Sequence, residues 1–357
     1  MNNYKKIIII IIILLFICIV WQFNKYQLPR LIDNDTHIES FNLFGLPSQS
    51  SELDTLKSTD KTSIKNVTKI YGNLPLREYC IKGSYNTAFT GHYINLDMIE
   101  YVLSRGCRFL DFEIYYIKEK DIFMPKVGFS TDGTFTILES ENSILLDNVL
   151  AAVVANAFSD KSPNNKDPLF INLRIKSNNP DVYKAVAKSI DYSILSKLFV
   201  GKVTNDTPLN KLMDSIVIII DKTINRDYLQ LSKCKKNDKT CYDLKNYTNM
   251  ESGSETLNLV TYTYVTNQLY LPITVADDNI STDIKKMRLA LPDAIPKTKE
   301  NPDVVNFITK AGCQITPNRF YYNDKYLEKY EKLFNDNTSA FVPLAVALPY
   351  YHKLKTI

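Results

Sequence analysis

From about residue 71 onward, short runs of apolar residues alternate with stretches in which apolar residues recur at helical spacing. The stretch LDMIEYVLSRG at 96–106 shows the helical pattern and ends in a glycine. The stretch DSIVIIIDK at 214–222 is a short apolar run bounded by polar residues, which predicts a strand. The alternation of the two patterns is typical of βα units and a parallel sheet.

The same reading divides the rest of this region into elements. Strands are predicted at 77–84, 107–116, 168–177, 214–222, 257–265, 284–292 and 313–322. Helices are predicted at 96–106, 145–158, 181–190, 302–312 and 324–334. Seven or eight strands over roughly 285 residues match the size of a (β/α)8 barrel. The predicted fold is therefore an α/β barrel of the TIM type over residues 71–357.

The N-terminus has a different pattern, because Lys5 and Lys6 precede an unbroken apolar run from Ile7 to Trp21. A spanning helix usually needs about 20 residues, and the run predicts a cytoplasmic tail and transmembrane anchor in residues 1–23. A cleaved signal peptide is the alternative, although the small residues of a cleavage site are missing. The positive flank favours a single-pass protein with its main domain on the lumenal or extracellular side. The polar residues 24–70 are predicted to form a stalk.

Charge and histidine content limit the possible chemistry. The net charge of +4 is too small to indicate binding to nucleic acid. The chain has only three histidines, His37, His92 and His352. A reaction that needs two histidines in one pocket must draw on these three.

The six cysteines show no C-x-x-C spacing, which argues against a structural zinc site. Cys234 and Cys241 flank the polar segment KKNDKT and can close a disulfide if the domain lies in an oxidising compartment. Two free thiols in a surface loop are the alternative.

Polar side chains lie near the ends of the predicted strands. Asn86 follows the first strand, while Asp111 and Glu113 share one face of the second. Such oxygen donors are the ligands that Ca²⁺ prefers. On pattern alone, the alternative is that the two carboxylates pair with Arg174 or Arg108.

The stretch GSYNTAFTGHYINLDMIEYVLSRGCRFLDFEIYY at 83–116 resembles the start of the catalytic X region of phosphoinositide-specific phospholipase C. That family carries Ser-His-Asn-Thr, then Thr-Gly, a helix into Gly-Cys-Arg, and a strand with Glu-x-Asp. The stretch NPDVVNFITKAGCQITPNRF at 301–320 resembles the family's Y region, with its Gly-Cys-Gln. The resemblance spans roughly residues 71–334 and implies a divergent member, from a virus or another AT-rich genome, with a phospholipase C-like barrel.

The resemblance places the family's two catalytic histidines on Tyr85 and Phe129. One histidine would hold the phosphate and the other would protonate the leaving group. A tyrosine hydroxyl has a pKa near 10 and is a poor acid–base group at neutral pH. Phenylalanine has no proton to give, and His92, seven residues beyond Tyr85, is expected to lie at a surface helix start.

The resemblance places the family's calcium ligands on Asn86, Asp111, Glu113 and Arg174. The first ligand is kept, the next two exchange side-chain length, and the last is replaced by a positive charge. We therefore expect an ion pair from Arg174 to Asp111 or Glu113 in place of the metal.

These departures predict a membrane-anchored pseudoenzyme that needs no cofactor. Its partners would be the membrane and either phosphoinositide head groups or a protein, with Lys176, Lys222 and Arg288 as candidate phosphate-binding residues. One alternative is an active phosphoric diester hydrolase with an altered site, which would use Ca²⁺. Another is a structural surface or envelope protein.

Overall fold

The computed structural model describes residues 13–17, 30–31, 47–58, 61–68, 72–236, 238, 240–267, 286–295 and 299–355. Of the predicted anchor only residues 13–17 are described, and they are helical and exposed. The remainder of the anchor lies outside the described residues. Within the described ranges, no helix has both the length and the apolar character to cross a bilayer.

The structure is an alternation of strands and helices. The strands are β1 (Arg30–Leu31), β2 (Tyr79–Ile81), β3 (Gly83–Ser84), β4 (Phe109–Glu119), β5 (Ile122–Gly128), β6 (Ile137–Leu138), β7 (Ile144–Leu145), β8 (Leu169–Ile175), β9 (Ile216–Asp221), β10 (Met250–Ser252), β11 (Asn258–Thr261), β12 (Arg288–Leu291) and β13 (Phe341–Pro343). The helices are α1 (Gln49–Leu56), α2 (Leu96–Ser104), α3 (Leu146–Ala157), α4 (Val182–Ile194), α5 (Tyr228–Leu231), α6 (Tyr262–Asn267), α7 (Val304–Thr309), α8 (Lys325–Asp336) and α9 (Leu344–Lys355). Short 3-10 helices occur at Leu76–Glu78, Leu209–Leu212 and Leu244–Asn246.

A run of parallel strands forms the centre of the molecule. β3 pairs with β4, β4 with β8, β8 with β9 and β9 with β10, all in parallel. The side chains of β8 and β9 are buried along their whole length. Strands covered on both faces are expected where helices pack on a parallel sheet, so the predicted α/β class is confirmed.

The second half of the chain continues these parallel pairings. β11 pairs with β12, and a bridge joins Leu289 of β12 to Ile315. Further parallel bridges join Ile315 to Ile81 of β2 and Asn318 to Ser84 of β3. β10 and β11 are consecutive and are joined by a turn without a helix, in which Gly253 has φ +80°. A pairing path therefore leads from β11 through β12, residues 315–318, β3, β4, β8 and β9 to β10.

Two predicted strands were wrong in extent. The stretch 257–265 begins as β11, but at Tyr262 the chain turns into α6. The stretch 313–322 makes only the isolated bridges at Ile315 and Asn318. Pro317 lies between these two residues and has no N–H to donate to a ladder.

The predicted polar stalk contains residues that pack on the folded domain. Leu53 and Leu56 of α1 and Ile64 after it are buried in the main core. Tyr101 of α2 donates from its hydroxyl to the carbonyl of Leu56. The composition of this segment is polar, and polar contacts such as that of Thr62 with Asn335 join these apolar side chains in attaching it to the domain.

Candidate functional site

Three neighbouring segments bring the predicted site residues together. In the parallel register of β4 and β8, Asp111 lies beside Asn172, and Glu113 lies beside Arg174. Asn86 follows β3 in a left-handed conformation with φ +45°, and its backbone N–H donates to Asp111 Oδ2 at 3.2 Å. Residues two apart on a strand share a face, so the side chains converge at one edge of the sheet.

Arg174 binds both carboxylates and the asparagine. Its Nη1 donates to Glu113 Oε1 at 2.7 Å, and its Nη2 donates to Asp111 Oδ2 at 2.7 Å. Nη2 also donates to Asn86 Oδ1 at 2.7 Å, and Nε donates to Asp111 Oδ1 at 3.0 Å. The predicted ion pair of Arg174 is confirmed, and it engages both carboxylates at once.

The second oxygen of Glu113 is also occupied. Lys176 Nζ lies 3.0 Å from Oε2, the Tyr115 hydroxyl donates to it at 2.7 Å, and the Ser130 N–H donates at 3.1 Å. Burial alone would raise the pKa of Glu113, but the charges of Lys176 and Arg174 and these hydrogen bonds lower it to about 2. Glu113 is therefore ionised at neutral pH.

The residues present do not fit a calcium ion. Ca²⁺ takes six to eight oxygen ligands, whereas the oxygens of Asn86, Asp111 and Glu113 accept hydrogen bonds from a guanidinium. Arg174 is buried and its pKa is raised well above its ordinary value, because the attraction of Asp111 and Glu113 outweighs the effect of burial. Its positive charge stands among the oxygens that a metal would need. Within the described ranges, no group of three or more His, Cys, Asp or Glu could hold a metal ion.

Tyr85 lies against this network with its ring. The ring centroid is 4.6 Å from the guanidinium carbon of Arg174 and 5.9 Å from that of Arg319. Burial raises the pKa of Tyr85 to about 12, although Arg174 opposes the shift. The phenol therefore stays protonated at neutral pH, and its hydroxyl can take part in hydrogen bonds but carries no charge.

Phe129 stands in an aromatic stack. Its ring lies parallel to that of Phe89, with centroids 4.3 Å apart and an interplanar angle of 16°. Phe89 also meets the edge of Tyr321 at 4.9 Å. This position has no titratable side chain, and the stack leaves an apolar surface where the resemblance placed a general acid.

His92 has a different partner. Its Nδ1 lies 2.5 Å from Glu52 Oε1 of α1, and Thr90 donates its hydroxyl to the other oxygen of Glu52. The side chain of His92 is exposed and lies on the loop rather than among the site carboxylates. His352 lies in α9, and His37 lies outside the described residues.

The three candidate phosphate-binding cations have protein partners. Lys176 contacts Glu113 and donates to the carbonyl of Ser130 at 2.9 Å. Lys222 lies 3.6 Å from Glu251 and is one-third exposed. Arg288 is buried and donates to the carbonyl of Ala311 at 2.5 Å. Only Lys176 joins the carboxylate network directly.

Asn172 shares a strand face with Arg174 in the sequence pattern, and it donates to Asp111 Oδ1 at 2.8 Å. Other site residues were missed by sequence reasoning. Tyr115 donates to Glu113 and lies two residues from it on the same strand face, and this spacing was the available signal. Ser130 and Arg319 come from distant loops, and no local pattern marks them.

Away from this site, Cys234 and Cys241 form a disulfide, with Cα atoms 5.7 Å apart. This is the pairing that the sequence left open as one of two alternatives. Cys80, Cys107 and Cys313 are free and buried.

Comparison with known proteins agrees with this description. Residues 72–222, less than half of the chain, match the family described as phosphatidylinositol-specific phospholipase C, X domain. No curated protein sequence matches the chain.

Among solved structures, that of PLC21 from L. pealei is 17% identical with a TM-score of 0.55, and the match covers 76% of this chain and 37% of that one. PLC21 from S. officinalis is 16% identical with a TM-score of 0.55, covering 82% and 39%. The chain thus spans about two fifths of the length of these two proteins. A calcium-dependent phosphoinositol-specific phospholipase C from Pseudomonas sp matches at 10% identity and a TM-score of 0.47, covering 79% and 99%. The chain has a phospholipase C-like α/β fold.

Proposed function

We propose that this chain is a phospholipase C-like protein that does not hydrolyse phosphodiesters and acts as a binding module. The observation that carries the proposal is the guanidinium of Arg174, which takes up the oxygens of Asn86, Asp111 and Glu113. We further propose that the parallel strands close into a (β/α)8 barrel. The pairing path from β11 around to β10, with only a short turn between its two ends, supports that closure.

The chemistry of phosphodiester cleavage explains why this site would be inactive. Such a reaction needs one group to receive the proton of the attacking hydroxyl and another to protonate the leaving oxygen, and each contributes about 10²–10⁴ in rate. Tyr85 keeps its proton at neutral pH, and Phe129 has none to give. Arg174 could stabilise charge on a phosphate, but Asp111 and Glu113 already neutralise it.

A phosphorylated head group is the ligand that suits Lys176 and Lys222, the two lysines near the site. Lys176 and Lys222 follow the carboxyl ends of the adjacent parallel strands β8 and β9, so both lie toward the same edge of the sheet. Ligands bind at that edge in parallel α/β proteins. A protein partner on the same edge is the alternative.

We also propose a membrane anchor within residues 1–23, with the domain on the lumenal or extracellular side. The apolar run from Ile7 to Trp21 supports the anchor. The Cys234–Cys241 disulfide supports an oxidising compartment.

Two measurements on the full-length chain test the proposal. With phosphatidylinositol and its phosphorylated forms, we expect no inositol phosphate release with or without Ca²⁺. Calorimetry should show weak or no Ca²⁺ binding near neutral pH. Robust hydrolysis that Asp111→Ala abolishes would show that the site is catalytic and that the proposal is wrong.

A further inference from the structure

A buried arginine lies beside the carboxylate network without joining it. Asn318 pairs with Ser84 of β3 in a parallel bridge, and the N–H of Tyr85 donates to the carbonyl of Asn318 at 2.9 Å. Arg319 therefore follows its strand segment at the edge of the sheet where Tyr85 follows β3. Arg319 is 3% exposed, and its guanidinium carbon lies 5.9 Å from the ring centroid of Tyr85 and 5.8 Å from that of Tyr262.

The contacts of Arg319 differ from those of two other buried arginines. The Nε and Nη2 atoms of a guanidinium form one edge that can hold two oxygens of an oxyanion. Arg174 uses this edge on Asp111, with contacts of 3.0 and 2.7 Å. Arg105 uses it on Glu331, with both contacts at 2.9 Å. In Arg319, Nη1 donates to two backbone carbonyls, whereas Nε and Nη2 have no hydrogen-bond partner within the described ranges.

The protein does not neutralise the charge of Arg319. The two carboxylates of the network are balanced by two cations, Arg174 and Lys176. Within the part of the chain that the structure describes, no carboxylate lies within ion-pair distance of Arg319. Burying a cation without a partner is costly, and a bound anion would offset that cost. The burial and the unpaired edge together indicate an anion-binding residue.

Two tyrosine hydroxyls lie near this charge. Burial raises the pKa of Tyr85 to about 12 and that of Tyr321 well above its ordinary value, whereas the positive charge of Arg319 acts to lower both. Among the described residues, neither hydroxyl has a hydrogen-bond partner. Tyr321 and Tyr262 are partly exposed, so this place lies close to the surface. The two phenols can donate to oxygens of an anion that Arg319 holds.

We propose that Arg319 binds the phosphoryl group of a ligand, with Tyr85 and Tyr321 donating to its remaining oxygens. A phosphomonoester has three terminal oxygens and can use the two-donor edge and both phenols, whereas a carboxylate has only two oxygens. This inference rests on the binding function proposed above and names a different residue for it, since Lys176 and Lys222 both have carboxylate partners.

The test measures binding of inorganic phosphate to the full-length chain in non-ionic detergent by calorimetry. Hydrogen bonds to a charged group change affinity by about tenfold to a hundredfold, so Arg319→Gln should weaken phosphate binding by that factor. Arg319→Lys keeps the charge but lacks the two-donor edge, and its affinity should lie between those of wild type and Arg319→Gln. The control Lys332→Gln removes one exposed charge on α8 and should leave the affinity unchanged.

Thermal melting checks that each variant is folded and gives a second measure of binding. Phosphate should raise the melting temperature of the wild type, because it binds only the folded chain, and should not raise that of Arg319→Gln. Wild-type phosphate affinity in Arg319→Gln would overturn the proposal. If Arg319→Gln does not fold, wild-type affinity in Arg319→Lys would overturn it, because the two-donor edge would then be unnecessary.

Further arms identify the source of the phosphate and separate this inference from the proposed function. Soluble inositol phosphates represent a free ligand, and vesicles containing phosphorylated phosphatidylinositol represent a lipid; binding of either that Arg319→Gln weakens supports the proposal. Binding that is lost in Lys222→Gln and kept in Arg319→Gln would retain the proposed binding function and overturn this inference. Hydrolysis of the lipid by the wild type, with phosphate binding still dependent on Arg319, would overturn the proposed function alone. A wild type that binds none of these probes would overturn the inference.

Discussion

Replacing Arg174 with methionine removes the charge that the two site carboxylates share and keeps most of the side-chain volume. The side chains of Arg174, Asp111 and Glu113 are 8%, 0% and 1% exposed. Removing one partner of a buried ion pair costs about 3–5 kcal/mol, because it strands a charge in the interior. We expect Arg174→Met to lower the free energy of unfolding by that amount at pH 7.

The pKa of Glu113 gives an independent magnitude. Its fall from 4.5 to about 2 corresponds to roughly 3 kcal/mol, shared between Lys176 and Arg174. Because the folded-state pKa is lowered, this stability is present at neutral pH and is lost as the pH falls from about 4.5 toward 2. Lys176 still pairs with Glu113 in the variant, so most of the loss should come from Asp111.

The pH dependence separates charge from packing. In Arg174→Met, protonation removes the charge of the buried carboxylate that has lost its partner. The difference in unfolding free energy between wild type and variant should therefore narrow as the pH falls from 7 to 4. Urea unfolding followed by circular dichroism measures the gap at each pH. The double variant Arg174→Met/Asp111→Asn should regain much of the lost stability.

A buried arginine elsewhere provides the control. Arg105 makes a two-pronged pair with Glu331, with Nη2 at 2.9 Å from Oε2. Arg105→Met should also destabilise the chain but should leave Ca²⁺ affinity unchanged. Two results together would refute the ion-pair account. The difference in unfolding free energy between wild type and Arg174→Met would be the same at pH 4 and pH 7, and adding Asp111→Asn would not reduce it. Arg174 would then stabilise the fold through packing.

Three further predictions concern metal, catalysis and the membrane. Arg174→Glu should raise Ca²⁺ affinity measurably above wild type by calorimetry, and micromolar affinity in the wild type would contradict the ion-pair account. Tyr85→His alone should recover little hydrolysis, since catalytic groups act as a unit. The smallest set of changes expected to give turnover is Tyr85→His/Phe129→His/Arg174→Glu. Strong hydrolytic activity of the single variant would refute this reasoning. The full-length chain should resist carbonate extraction from membranes, because each buried CH₂ contributes about 0.8 kcal/mol; recovery of the uncleaved chain in the soluble fraction would rule out the anchor.

The central strands and most helices could be predicted from local pattern. β8, β9, α2 and α8 lie where the apolar spacing placed them. Elements whose residues conflict with a local rule were missed. α9 was missed because it contains Pro349 in its interior. Proline usually ends or kinks a helix, so the local pattern did not predict one there. α1 was hidden because its few buried leucines lie in a polar segment.

For the site, the sequence by itself determined which chemical groups were available. It has no histidine between His92 and His352, and it places Asp111 and Glu113 on one face of a strand and Arg174 on another strand. Those facts follow from residue identity and from the two-residue period of a strand.

Only the tertiary structure decided how the groups meet. The register of β4 against β8 places Glu113 beside Arg174 and Asp111 beside Asn172, and a shift of one residue would turn the side chains to the opposite face. That register depends on packing between segments some sixty residues apart in the chain, as the separation of Arg174 from Glu113 shows. The contact of Ser130 with Glu113 of β4 and that of His92 with Glu52 of α1 likewise join separate segments. Local pattern carries no information about such pairs, because they form only when the whole sheet and its covering helices bury their apolar surfaces together.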